Sequence, residues 1–327
     1  MSTKLEFLHD FLTRIFATEA KNPKGGKPFT HSKASFVLFF VVMFYKRIYA
    51  FRTMEKYCVI HFKEFGFREA PCRRTIKRRF VALPTILQFL IPQIAQYCKS
   101  LDFSTFGFSF AFVDKSVFRA LGGLWHKKDM LINRIPHPSI DTDASWSKSA
   151  YHGWRFGYGL HLICNQLRFP ISACVTTACV KDHTVLEALI APVSQCIGII
   201  VGDKGYFALR SLQKIYQRWQ ILIQTPDVFE NVSQKPKDWF KRIYNRLVQT
   251  TQAGWLYKKR KPSIEPHFSL IKELFELQGN KQLPFQKLKY IRPFLLLTVL
   301  TMQLMMYDNF VNNRELGKTD DFLTFLR

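Results

Sequence analysis

The chain has 327 residues, with 48 lysines and arginines against 24 aspartates and glutamates, a formal charge of +24. A field of that size favours a polyanionic partner, nucleic acid first and an anionic membrane surface second, and the length suffices for two domains or for one with an elaborated end. Seven cysteines without a CxxC spacing give no support to zinc and fit reduced, mostly buried thiols in the cytosol. The opening MSTKLEFLHDFL carries acids among its apolar residues and no small-residue cleavage site, so it does not read as a secretory signal.

Residues 1–102 read as a helical DNA-binding domain. A polar break, KNPKGGKP (21–28), separates a first helix from a strongly apolar one over about 32–50, and a further helix covers 53–64. The run EAPCRRTIKRRF (69–80) places Arg73, Arg74, Lys77, Arg78 and Arg79 on a helix started by Pro71, with Ile76 and Phe80 facing inward. Two readings stand: a helix-turn-helix-like unit laid against DNA, or a solvated basic face. A helix over 83–98 closes the region. The apolar stretches FVLFFVVMFY (36–45) and PFLLLTVLTMQLMMY (293–307) fall short of the roughly 20 residues that span a bilayer, so both are expected to be buried helices, with no membrane partner.

From 103 the texture changes to strand. FSFAFVD (108–114) is followed by a hairpin of 154–165 and 168–180 turning at Asn165, Gln166 and Leu167; then come helix 183–193, strand 196–203, helix 207–218, strand 219–225 and a helix carrying Glu265. The order β-β-β-α-β-α-β-α is an α/β layout with a mixed five-stranded sheet flanked by helices. It spans 103–305 with a basic insertion over about 227–262, and 306–327 form a tail. The segment 119–153 is turn-rich. Its Asp141 and Asp143 read as solvated loop acids, with a metal-binding pair as the alternative.

Three acids sit where this layout would bring them together. The β-branched run before Gly202 ends a buried strand in Asp203, at the sheet edge where open α/β folds bind ligands; the competing reading is an Asx turn ahead of Gly205. Asp114 ends the first strand. Glu265 lies in the first turn of a helix capped by Ser263, with Ile264, Phe268, Ile271 and Phe275 as the buried stripe and Lys272 on nearly the same azimuth as Glu265. Converging carboxylates repel unless a cation neutralises them. Mg²⁺ takes such oxygen ligands, and two ions can activate the attacking oxygen and stabilise the leaving one in phosphoryl transfer. Lys272 and the basic residues of 235–261, interleaved with Trp239, Tyr244, Trp255 and Tyr257, would track a DNA backbone and stack on unpaired bases.

The order Asp114, Asp203, Glu265, together with DKGY (203–206), GYGLHL (157–162) and IEPHFSLIK (264–272), resembles bacterial insertion-sequence DDE transposases with an RNase H-like catalytic domain, over roughly 105–305. The resemblance implies that Asp114, Asp203 and Glu265 bind two Mg²⁺ or Mn²⁺ ions. It implies that Tyr257 and Lys272 contact DNA, with Arg260 or Lys261 in the role of an arginine before the glutamate, and that Asp182 is a recurrent acid. Gly159 stands where relatives carry lysine, and Lys115 where they carry a small residue, with Asp143 the fallback first acid. The implied activity is cutting at terminal repeats and joining of 3′ ends to target DNA, by a homodimer or higher oligomer on double-stranded DNA in the bacterial cytoplasm, associated with the nucleoid. A metal-dependent nuclease or resolvase of the same fold, or a non-catalytic DNA-binding protein, are the alternatives.

Overall fold

The computed structural model describes residues 3–17, 31–100, 110–149, 153–279, 281–319 and 322. Six strands form one mixed sheet: β1 (Phe110–Arg119), β2 (Ser145–Ser149), β3 (Gly153–Asn165), β4 (Pro170–Thr177), β5 (Ile199–Val201) and β6 (Leu222–Gln224). β3 pairs antiparallel with β1 on one edge. On its other edge β2 and β4 lie end to end, against Gly153–Gly157 and Tyr158–Cys164. The β3–β4 turn closes by the expected residues, with Arg168 in the left-handed region at φ 63° and its N–H donating to Asn165 O.

β5 runs parallel to β1, and β6 parallel to β5. Parallel neighbours need crossovers, and here α6 (Leu186–Ile190) and α7 (Leu209–Trp219) lie in them. Three antiparallel strands followed by two parallel ones is the α/β arrangement expected of an RNase H-like sheet. The sixth strand, β2, corrects the expected count of five. Its sequence, Ser-Trp-Ser-Lys-Ser, carries no β-branched residue and reads as loop, yet β3 is long enough to offer it a free edge.

The helices α1 (Thr3–Ala17), α2 (Lys33–Tyr45), α3 (Phe51–His61) and α4 (Arg73–Ser100) precede the sheet, and α10 (Leu288–Val311) follows it. Ser32 caps α2 by accepting a bond from Ser35 N at 2.9 Å. Both apolar stretches are interior: α2 is buried from Ala34 to Phe44 and α10 from Pro293 to Asn309. α10 packs against α4, β4 and α2, so the helical region and the sheet share one core. Gln303 fastens the join, its Nε2 donating to Ile91 O on α4 at 2.9 Å and to Pro170 O on β4 at 2.8 Å. Phe44 adds ring contacts to Phe80, Phe285 and Phe294, each buried ring contributing on the order of 2 kcal/mol.

Several expected boundaries move. The basic run opens a single 28-residue helix, α4, that continues through Pro84 and Pro92. The α3–α4 connection occupies 62–72 and contains a 3-10 turn ending at Gly66, φ 72°. A helix-turn-helix uses a turn of about 3–4 residues, so this connection gives that expectation no support. Of the five cations, Arg79 leans over the Phe36 ring at 5.6 Å and Lys77 over Tyr290 at 5.8 Å, while Arg73, Arg74 and Arg78 are exposed. α10 runs past residue 305, through the expected start of the tail. The break at 21–28 and the domain boundary at 102 fall outside the described residues. All seven cysteines are free; Cys58, Cys98 and Cys164 are buried, whereas Cys72 and Cys179 are exposed.

Candidate active site

The β1–β5 ladder ends at the pair Phe112 and Val201, while β1 continues along β3 to Arg119. Asp114 and Asp203 each stand two residues past that last pair, where the two parallel strands part. Asp114 therefore does not end its strand, as expected from sequence; it lies just beyond the pairing with β5, still within the ladder with β3. The strand exit requires glycine at 202, since a Cβ there would lie 2.9 Å from Val113 Cγ1 and 3.0 Å from the Tyr206 ring. Asp203 Oδ1 accepts from Gly205 N at 2.9 Å, so the acid at the sheet edge and the Asx turn are one feature.

The acids are held among cations. Arg260 Nη1 donates to Asp114 Oδ2 at 2.8 Å, and Asp114 Oδ1 accepts from Lys115 N at 2.8 Å. Burial pushes the Asp114 carboxyl up to about 6; Arg260 pulls against that push and the Asp203 charge adds to it. Asp203 is likewise raised, by burial first and by Asp182 second. Asp182 binds Lys115 Nζ at 2.9 Å through Oδ1. Tyr206, from the DKGY segment, is fully buried near these three acids, and its hydroxyl has no hydrogen-bond partner among the described residues.

The glutamate comes from α9 (Thr251–Leu274). This helix begins twelve residues before the expected cap at Ser263 and continues through Pro262 and Pro266, so Ser263 is an interior, buried position. The predicted stripe holds: Ile264, Phe268, Ile271 and Phe275 are all buried. At its border Glu265 and Lys272 line one cleft of about 420 Å³, with Asp114, Lys261, Arg155 and Ser147 as further walls. Lys272 Nζ lies 5.6 Å from the Phe118 ring centre, and burial followed by the Arg155 charge holds its pKa down. Tyr257 lies 5.8 Å from the Arg260 guanidinium, one turn away on the same helix.

Glu265 and Asp114 thus share a cleft, and Asp114, Asp182 and Asp203 share a charge cluster, but Asp203 is not among the cleft walls. Among the described residues no three His, Cys, Asp or Glu side chains stand close enough to hold one ion. The donor set nevertheless fits a hard divalent cation: its oxygens are carboxylates alone, two of them carry raised pKa values, and an unpartnered phenol lies beside them.

Two expectations need correction. Asp141 is buried rather than a solvated loop acid, and Asp143 beside it stays exposed. Asp143 accepts from Leu288 N at 3.0 Å, and the buried Asp141 accepts from Tyr158 OH at 2.6 Å and Lys287 N at 2.9 Å, so the pair ties down the start of α10. Tyr244 is buried and bonded to Thr225, so it offers no stacking surface, whereas Trp255 is 57% exposed under Lys259. Arg155 was missed by the sequence reading: it precedes GYGLHL in a strand whose neighbours are apolar, and only its alternation toward the cleft marks it.

The chain shows weak likeness to solved structures. The piggyBac transposase synaptic complex with hairpin DNA is 10% identical, covering 100% of this chain and 77% of that one at a TM-score of 0.45. The Mos1 transposase paired-end complex with left transposon end is 8% identical, covering 91% of this chain and 86% of the other at 0.23. No characterised protein sequence matches significantly. A sequence profile for the transposase DDE domain matches residues 109–281, more than half of the chain and all six strands, and the protein belongs to that family.

Proposed function

We propose that the protein is the transposase of a bacterial insertion sequence, cutting DNA at the element's terminal repeats and joining the freed 3′ ends to target DNA. The observation that carries this reading is the placement of Asp114 and Asp203 where β1 and β5 part, with Glu265 and Lys272 on α9 across the cleft that Asp114 lines. Asp114, Asp203 and Glu265 are the residues that would hold Mg²⁺ or Mn²⁺, which when bound supplies charge neutralisation and an activated oxygen for phosphoryl transfer.

The chain's own groups set the rest. Burial pushes the Asp114 pKa up, and Arg260 stabilises the carboxylate through their ion pair. Lys261, Lys272 and Arg155 give the cleft a cationic wall that seats the phosphodiester. In cleavage a water oxygen bonds to phosphorus as the bond to the 3′ oxygen breaks; in joining, the freed 3′ oxygen attacks a target phosphate and displaces its 3′ oxygen. Both steps have the same geometry, so one site serves them. Trp255 and Tyr257 flank the approach, and the exposed Arg73, Arg74 and Arg78 of α4 offer a second backbone contact. Pairing two element ends calls for a dimer or higher oligomer.

Incubating the full chain with labelled element ends and Mn²⁺ tests this reading. Wild type is expected to cut and join, and Asp203→Ala to do neither; undiminished product from the variant would overturn the assignment. Nicking without joining by wild type would identify a nuclease of the same fold instead.

A further inference from the structure

Lys115 lines the cleft with its stem, yet its ammonium turns away into the acid cluster, a direction that contact with DNA does not explain. Only 11% of its side chain is exposed, and its ammonium donates both to Val180 O at 3.0 Å and to Asp182 Oδ1 at 2.9 Å. The other Asp182 oxygen and Asp203 overhang the same glycine: a Cβ on Gly205 would meet Asp182 Oδ2 at 2.5 Å and Asp203 Oδ1 at 3.1 Å. Two carboxylates that close either share a proton or grip a cation together, unless one is neutralised separately. Lys115 performs that neutralisation. It reaches Asp182 by crossing β3 at Gly159, where an added Cβ would lie 3.0 Å from Lys115 Cε and 3.4 Å from Cδ.

We infer that Lys115 is a positioning residue that holds Asp182 out of the metal site, so that a divalent cation at Asp203 meets one carboxylate from that side rather than two. Gly159 is the gap that lets the lysine cross. This rests on the proposed function, because it takes Asp203 as a ligand. Removing the ammonium releases Asp182 to join Asp203, and an extra carboxylate with one fewer positive charge tightens cation binding.

The test is calorimetric titration of the full chain with Mn²⁺ alone, without DNA. Lys115→Met is expected to bind Mn²⁺ about tenfold more tightly than wild type, since ligand charge count sets affinity at oxygen sites. Lys115→Gln, which keeps a donor for Val180, guards against a folding defect and is expected to move the same way. In Lys115→Met/Asp182→Asn the gain should vanish. Unchanged or weaker binding in both single variants, or a gain that survives Asp182→Asn, overturns the inference. Asp203→Asn separates the two failures: if it leaves wild-type Mn²⁺ binding intact, the proposed function falls and the inference with it, whereas loss there without a gain at Lys115 overturns the inference alone.

Discussion

Two groups of aspartates lie on the same domain and live under opposite conditions. Asp141 is saturated by donors, taking the Tyr158 hydroxyl and the backbone N–H groups of Asp143 and Lys287, while the exposed Asp143 takes the N–H of Leu288. Asp114 and Asp203 take one backbone N–H each, Asp114 with the Arg260 guanidinium besides, are partly buried, and carry raised pKa values. The first group spends its charge on holding the start of α10 in place; the second holds its charge against burial. Acids held against burial in a cleft are the candidates for chemistry.

The sharpest way to break that contrast is to neutralise one acid of the second group. Asp203→Asn should lower DNA cleavage by at least about 10³-fold, the several kcal/mol expected of a lost metal ligand. Its thermal midpoint should stay level or rise, because an unfavourable buried charge has gone. A fall in stability with cleavage retained would reverse the assignment.

The complementary change, Asp141→Ala, should do the opposite. It leaves the buried Tyr158 hydroxyl and the Lys287 N–H without their acceptor, a loss of about 3 kcal/mol at 1–3 kcal/mol per stranded group. Denaturant titration should register it, while cleavage per folded molecule at low temperature is retained.

Titration sharpens the same comparison. Asp114 has a folded pKa near 6, above the ordinary carboxylate value, so its protonated form favours the native state. That stability is fully present below about pH 4 and is lost as pH rises through 6, by at most about 3 kcal/mol for a shift of two units. Mn²⁺ binding must run the other way, weakening as pH falls below 6 because the proton competes for the oxygen. Calorimetry at several pH values checks both slopes, and Asp114→Asn should flatten them.

The smallest effect belongs to Asp143→Ser. This side chain is 41% exposed and its lysine partner lies at 3.7 Å, so about 0.5 kcal/mol is at stake. Cleavage should be unchanged; a large loss would return Asp143 to the list of acids.

What sequence could show follows from this contrast. The face of α9 was legible because Ile264, Phe268, Ile271 and Phe275 set its inward direction, and the azimuths of Glu265 and Lys272 then followed from helical geometry. Its start was not, because Pro262 reads as a helix boundary and the packing that tolerates it lies elsewhere in the chain. The strand ending at Gly202 announced itself by its β-branched run; β2 did not, since its pairing depends on β3 rather than on its own residues. The Arg260–Asp114 bond joins residues 146 positions apart, and the α10 contacts of Asp141 and Asp143 span similar distances, so no local pattern distinguishes these acids.

The two prolines of α9 have one more consequence. Neither supplies an N–H, so the backbone ladder lacks the rungs from 262 to 258 and from 266 to 262, one turn apart. With those two bonds missing, bending α9 about this turn costs less than bending an unbroken helix. The buried stripe and the Arg260–Asp114 bond, on either side of that turn, are therefore what keep the rod straight against the sheet.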